Sequence, residues 1–319
     1  YQIATMQNND GESDSLSNER VVYLNGEFVP ESRATISISD RGFIYGDAVF
    51  DTARTFGGKI YRLREHVERL MRSLRYVQID PGLDADKFCA ISEQVVERNA
   101  HLLGPSDDYW VILRVTRGLN NPDGPGDRAE PTVIVTCVPL PLVKRASLFR
   151  DGIEVVVPST RRTPPESLNP AAKTHNYLNL VVAGLETQKS APNAWPVLSD
   201  TRGFLAEGSG SNIFLVHGGK VRTPKAQYVL AGVSRAVTLD LCRGLSIEIQ
   251  EDDLSPYDAA TADEAFITST SLCLCPVGTF NGRPVADGTV PGPVTARLME
   301  AYKAEVKMDY VAQYLSHLA

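Results

Sequence analysis

The chain has 319 residues, 43% hydrophobic and 22% charged, which at ~150 residues per domain allows about two globular domains with real cores. Its 24 Gly and 20 Pro are too few and too irregularly placed for a fibrous or low-complexity chain, and no run approaches the ~18 apolar residues of a membrane span. Thirty-two basic against 39 acidic residues leave a net charge of −7, which argues against a nucleic-acid surface.

In chain order, residues 1–20 are polar and aperiodic and read as a flexible arm without the apolar core of a signal peptide. VVYLNGEFVP places Asn-Gly between two β-rich runs, a strong hairpin signal, and AVFDTARTF and KIYRL flank a second turn at Gly57-Gly58. From Leu63 to about Val77, Val67, Leu70, Met71 and Leu74 recur at helical spacing, and a second helix is expected from Ala85 to about His101. WVILRVTRG and TVIVTCVPL read as buried strands around the Gly/Pro-rich loop LNNPDGPGDRAEP. The stretch at 141–150 is the candidate interdomain connection. Beyond it come a strand in GIEVVVPS, the RRTPPESLNP loop and a helix from about His175 to Gln188. PVLSD, a hairpin turning at Gly218-Gly219, a helix over Ser234–Arg243, strands in IEIQEDD and EAFITST, and a helix from about Val294 complete the chain. Strands and helices mix without a regular βαβ alternation, so the expected class is α+β.

The five cysteines, Cys89, Cys137, Cys242, Cys273 and Cys275, include one C-x-C and three scattered singles, and no two of the five histidines form an H-x-x-x-H pair. No metal site is expected, and a reducing, cytoplasmic compartment is.

Four places can carry chemistry. Lys173 in NPAAKTHNYLN follows small residues, where partial desolvation would leave a free amine able to attack carbonyls; a solvated surface lysine is the alternative. Glu207 precedes GSGS, whose small residues let a ligand approach the backbone, or simply make a tight turn. Gly232, Val233 and Ser234 in LAGVSR open a helix and present amides to an anion, unless they are an ordinary cap. Ser269, Thr270 and Ser271 end an apolar strand and offer hydroxyls and N–H groups to a phosphate, or form a plain turn. An imine-forming lysine, a carboxylate and two phosphate cradles are together the parts that hold pyridoxal 5′-phosphate.

The segments DRGFIYGDAVFDTAR, LREHVERLMRS, RVTRG, KTHNYLN, EGSGSNIF, LAGVSR and TST, in this order, resemble the fold-type IV (class IV) PLP-dependent aminotransferases over roughly residues 21–305. That family holds branched-chain and D-amino-acid aminotransferases and (R)-selective amine transaminases. The resemblance implies a smaller N-terminal domain (21–140), a C-terminal PLP-binding domain (151–319), cofactor in the cleft between them, and a homodimer. It implies that Lys173 holds PLP as an imine and shuttles the proton, that Glu207 pairs with the ring nitrogen, and that Tyr177 bonds the 3-oxygen. Arg69, three residues after His66 on the helix, would bind the phosphate together with Gly232, Val233, Ser234, Ser269 and Thr270. Tyr45, Arg54, Arg114, Arg128 and Ser271 would contact substrate. Ile112 stands where an aromatic is typical of branched-chain enzymes, and the RRTPPESLNP and LNNPDGPGD loops are more like those of (R)-amine transaminases. The expected activity is a ping-pong amino transfer between an amino acid or primary amine and a 2-oxo acid. The alternative is a lyase of the aminodeoxychorismate lyase type.

Overall fold

The structure, a computed structural model, describes residues 18–119 and 130–318. The first sheet has six antiparallel strands: β1 (Val21–Leu24), β2 (Glu27–Pro30), β3 (Ala48–Phe56), β4 (Lys59–Ile60), β5 (Tyr109–Thr116) and β6 (Thr132–Pro139), in the order β2-β1-β6-β5-β3-β4. The Asn25-Gly26 turn forms with φ of 46° and 103°, the left-handed pair that this dipeptide adopts readily. On β5, Tyr109, Val111, Leu113 and Val115 are buried, while Trp110, Ile112 and Arg114 on the opposite face are half-buried, the alternation a pleated strand imposes. The buried face meets α2 (Leu63–Val77) and α3 (Ala85–Asn99), which turn Val67, Leu70, Leu74, Phe88 and Val95 inward. A short helix, α1 (Arg41–Tyr45), precedes β3.

The second sheet begins with β7 (Ile153–Val156), β8 (Trp195–Ser199), β9 (Leu205–Gly208), β10 (Ser211–His217) and β11 (Lys220–Pro224). It continues with β12 (Ile249–Asp252), β13 (Glu264–Ser269), β14 (Cys273–Phe280) and β15 (Arg283–Pro284). Its order is β12-β11-β10-β13-β14-β7-β8-β9, and β9 also pairs with β10. Six strands therefore close a circuit and leave no open edge there. Around this sheet lie α4 (Leu142–Asp151), α5 (Leu178–Ser190), α6 (Val233–Gly244), α7 (Pro256–Ala260), α8 (Pro293–Val306) and α9 (Tyr310–Leu315). Among the described residues no helix is long and apolar enough to cross a membrane.

Two elements differ from the sequence expectation. Residues 142–151, read as a connection, are helix α4, whose Leu142, Ala146 and Phe149 enter the second core; Phe149 stacks on Tyr314 at 4.6 Å. The helix expected from about His175 starts at Leu178. The reason is a competing partner: the His175 amide donates to the Ala48 carbonyl (2.9 Å), and the Phe50 amide donates to the Lys173 carbonyl (2.9 Å). Residues 173–175 are thus tied to β3 by a single antiparallel bridge, Thr174 opposite Val49, and the turn at Tyr177 can begin the helix only afterwards. That pairing places Lys173 between the two sheets.

Candidate functional site

A cavity of about 730 Å³, open to solvent, lies where the two sheets meet. Lys173, Glu207, Tyr177, Arg69, Gly232, Val233, Ser234, Ser269 and Thr270 all line it, although they come from separate stretches of chain.

Lys173 is held by its backbone: its amide donates to Ser73 Oγ on α2 (3.0 Å) and its carbonyl accepts from Phe50. Its Nζ lies 3.3 Å from the Tyr177 hydroxyl and 4.7 Å from the centre of the Phe50 ring. Glu207, on β9 and 5% exposed, accepts from Arg162 Nε through Oε1 and from the Leu230 amide through Oε2, both at 2.9 Å. Directly across the strand pair, Asn212 Nδ2 donates to the Leu230 carbonyl (3.0 Å), so one peptide segment is gripped from both sides.

That segment leads into α6. Gly232 is the N-cap residue, and a Cβ there would fall 2.4 Å from Asn212 Oδ1, so only glycine lets the helix start this close to the strand. The first-turn amides of α6 have no partner within the helix and are oriented to bind an anion. Arg69, buried on α2, donates from Nε and Nη2 to both oxygens of Asp51 (2.7 and 2.8 Å) and from Nη1 to the Ala231 carbonyl (3.1 Å). His66 Nδ1 is 2.7 Å from the same Asp51. Burial pushes the Asp51 carboxyl up, but Arg69 and His66 beside it win and hold it well below the usual carboxylate range. Burial also lowers His66, against the pull of Asp51. Thr270 ties the far wall to β3 by donating to the Thr52 carbonyl (3.2 Å). Two buried hydroxyls in the lining, Ser211 Oγ and Thr268 Oγ1, have no hydrogen-bond partner.

The expected substrate residues fare differently. Arg54 is 1% exposed and stands off the cavity. Its donors go to the Thr55 carbonyl (3.0 Å), the Ser271 carbonyl (2.7 Å), Cys273 Sγ (3.7 Å), Asp108 (3.5 Å) and Gln313 (3.0 Å), leaving none for a ligand. Tyr45 is 59% exposed and outside the lining, as is Ser271, which accepts from Arg145 through Oγ and from Arg54 and Tyr314 through its carbonyl. Arg114 is half-buried beside His175, donating only to Thr136 Oγ1 (3.4 Å). Arg128 lies outside the described residues. Sequence reasoning does not single out Arg162, Asp51, Asn212 or Ser73; each sits in or near a quoted motif or loop, but its partner is 18 to 100 residues away.

The family model for amino-transferase class IV matches residues 48–280, and the chain belongs to that family. Its fold is that of the fold-type IV aminotransferases. A putative branched-chain-amino-acid aminotransferase of Methanocaldococcus jannaschii is 36% identical over 284 residues, spanning 88% of this chain and 95% of the relative. D-alanine aminotransferase of Staphylococcus aureus is 28% identical, spanning 90% and 98%. The branched-chain amino acid aminotransferase from Escherichia coli superposes with a TM-score of 0.79 at 26% identity, covering 89% of this chain and 93% of that one. A further branched-chain amino acid aminotransferase, solved with N-(5′-phosphopyridoxyl)-L-glutamate, superposes with a TM-score of 0.81 at 27% identity, covering 90% and 94%.

Proposed function

We propose that this aminotransferase uses pyridoxal 5′-phosphate to move an amino group between an amino acid or primary amine and a 2-oxo acid, in ping-pong half-reactions and as a homodimer. The observation that carries the reading is the convergence of a lysine amine, a buried carboxylate, a guanidinium and a helix N-terminus on one cavity. The unmet hydroxyls of Ser211 and Thr268 in its wall fit a polar ligand.

When bound, the cofactor supplies a reactive carbonyl and an electron-withdrawing ring. Lys173 Nζ would hold the cofactor through that carbonyl, and its amine, when free, would take and return a proton at the substrate carbon. The Tyr177 hydroxyl, already within hydrogen-bond reach of Nζ, serves the 3-oxygen. Glu207 accepts from the ring nitrogen, its orientation fixed by Arg162 and the Leu230 amide. Arg69, the amides of Val233 and Ser234, the close-packed Gly232, the Ser269 hydroxyl and Thr270 would receive the phosphate. Asp51, bonded to Nε and Nη2, fixes the position of the Arg69 guanidinium. The relatives point to amino acids as donors, with branched-chain and D-amino acids the first to try.

Replacing Lys173 by Ala is expected to remove both turnover and the visible absorbance of lysine-bound cofactor, while circular dichroism stays unchanged. Normal transamination by that variant would contradict the assignment.

A further inference from the structure

Helix α5 starts beside the amine of Lys173: Tyr177 is its N-cap residue, and the Tyr177 hydroxyl lies 3.3 Å from Nζ. Asn179, in the first turn of the same helix, bonds another stretch of chain, the RRTPPESLNP loop. Its Oδ1 accepts from the Thr163 amide (3.1 Å), and its Nδ2 donates to the Arg161 carbonyl (2.7 Å). One side chain thus grips the backbone on both sides of Arg162. Having one donor and one acceptor as partners also fixes which way the carboxamide is turned. Glu186, two turns further along α5, accepts from the Ser159 and Thr160 amides (2.6 and 3.0 Å), so the helix holds the approach to Arg162 as well.

Little else holds Arg162. Among the described residues, the loop backbone from Arg161 to Pro170 reaches other elements through three hydrogen bonds, and Asn179 makes two of them. The third runs from the Arg162 amide to the Ser199 carbonyl (2.8 Å) on β8, the strand beside β9 and Glu207. The guanidinium bonds Glu207 through Nε alone, not through the two-pronged contact that orients an arginine by itself. A long side chain with one point of contact takes its aim from its backbone. Arg162 and Glu207 line the cavity, and Asn179 stands behind them.

Resting on the aminotransferase reading, we propose that Asn179 is a positioning residue: through Arg162 it fixes Glu207 Oε1, and so sets how firmly that carboxylate holds a proton at the cofactor's ring nitrogen. The first turn of α5 then serves both ends of the cofactor, Tyr177 beside the amine and Asn179 behind the ring nitrogen.

The test loads the protein with pyridoxal 5′-phosphate isotopically labelled at its ring nitrogen and follows that resonance, which separates protonated from neutral ring. Wild-type protein near neutral pH is expected to show the protonated form. Asn179→Ala should move the resonance toward the neutral form and lower kcat about fivefold. Arg162→Gln should move it the same way, and adding Asn179→Ala to Arg162→Gln should change neither resonance nor rate any further, because the two act in series. Asn179→Asp keeps the acceptor for the Thr163 amide and loses the donor to Arg161, so it is expected to fall between. A carboxylate suits the first turn of a helix, so this variant carries the test if the Ala variant loses its fold. An unmoved resonance and rate in Asn179→Ala, even with a lower melting temperature, would overturn the proposal and leave the aminotransferase reading standing. A further full shift on adding Asn179→Ala to Arg162→Gln would overturn it too. A wild-type protein that takes up no cofactor would overturn the aminotransferase reading, and the role of Asn179 with it.

Discussion

Glu207 shows how one side chain can depend on distant parts of the chain: its two oxygens are fixed by Arg162, 45 residues earlier, and by the Leu230 amide, 23 residues later. Arg162→Gln removes the charged partner and leaves the fold, so the rate is expected to fall about tenfold or more, with a shift in the pH dependence of the cofactor absorbance. An unchanged spectrum and rate would mean that Arg162 only packs there. Glu207→Gln is expected to slow turnover further, again without unfolding. A second test concerns His175, whose burial, reinforced by Arg114, lowers it to about 4 from an ordinary value near 6.5. The unfolded chain then binds a proton that the folded chain refuses, so this stability is fully present above about pH 6.5 and is lost as pH falls toward 4. His175→Phe should flatten that slope in denaturant titrations; an identical slope would remove the claim. Lys173 and Glu207 stand out in the sequence by residue type and setting, and Arg69 only through the resemblance of its segment to a known family; the structure brings all three to one cavity. Arg162, Asp51 and Asn212 do not stand out, because what marks them is a partner brought close only by folding. Arg54 misleads for the converse reason: nothing local reveals that buried acceptors take up its guanidinium.

Among the elements, α2 is readable to the residue, since Val67, Leu70 and Leu74 repeat with the helical period over four turns. Helix α4 is hidden by the prolines before it and by its ten-residue length, which leaves room for only three buried positions. The start of α5 differs from expectation because backbone pairing to β3 outweighs helix propensity at His175. Arg54 belongs to this scale, for it joins β3 to the turn after β13 and to Asp108. Arg54→Ala leaves Asp108 buried with its charge partner removed and is expected to cost about 3–5 kcal/mol in unfolding free energy. Gly232→Ala should act locally instead, pushing the start of α6 off Asn212 Oδ1 and weakening phosphate binding more than it lowers the melting temperature. A loss confined to stability would argue that the α6 terminus holds no anion.

On the scale of the molecule, the cavity exists because residues 173–175 of the second half pair with β3 of the first. Beside it, α5 exposes Leu178, Val181, Val182 and Leu185, and α1 exposes Phe43, Ile44 and Tyr45, linked through the Asn176–Gly46 hydrogen bond (3.1 Å). This apolar stripe fits the proposed homodimer, for which light scattering should give twice the chain mass and Val181→Asp with Leu185→Glu should shift it toward monomer. A dimer indifferent to both changes would place the contact elsewhere. The central claim is that Lys173, Glu207 and Arg69 hold a cofactor that exchanges amino groups. It is tested most directly by a single half-reaction: protein loaded with pyridoxal 5′-phosphate is mixed with L-leucine, D-alanine or (R)-1-phenylethylamine and no acceptor, and the spectrum is followed. Conversion to the pyridoxamine form by at least one donor, reversed by adding a 2-oxo acid, is the expected result. A loaded protein whose spectrum no donor changes, or one that yields product without ever reaching the pyridoxamine form, would contradict it.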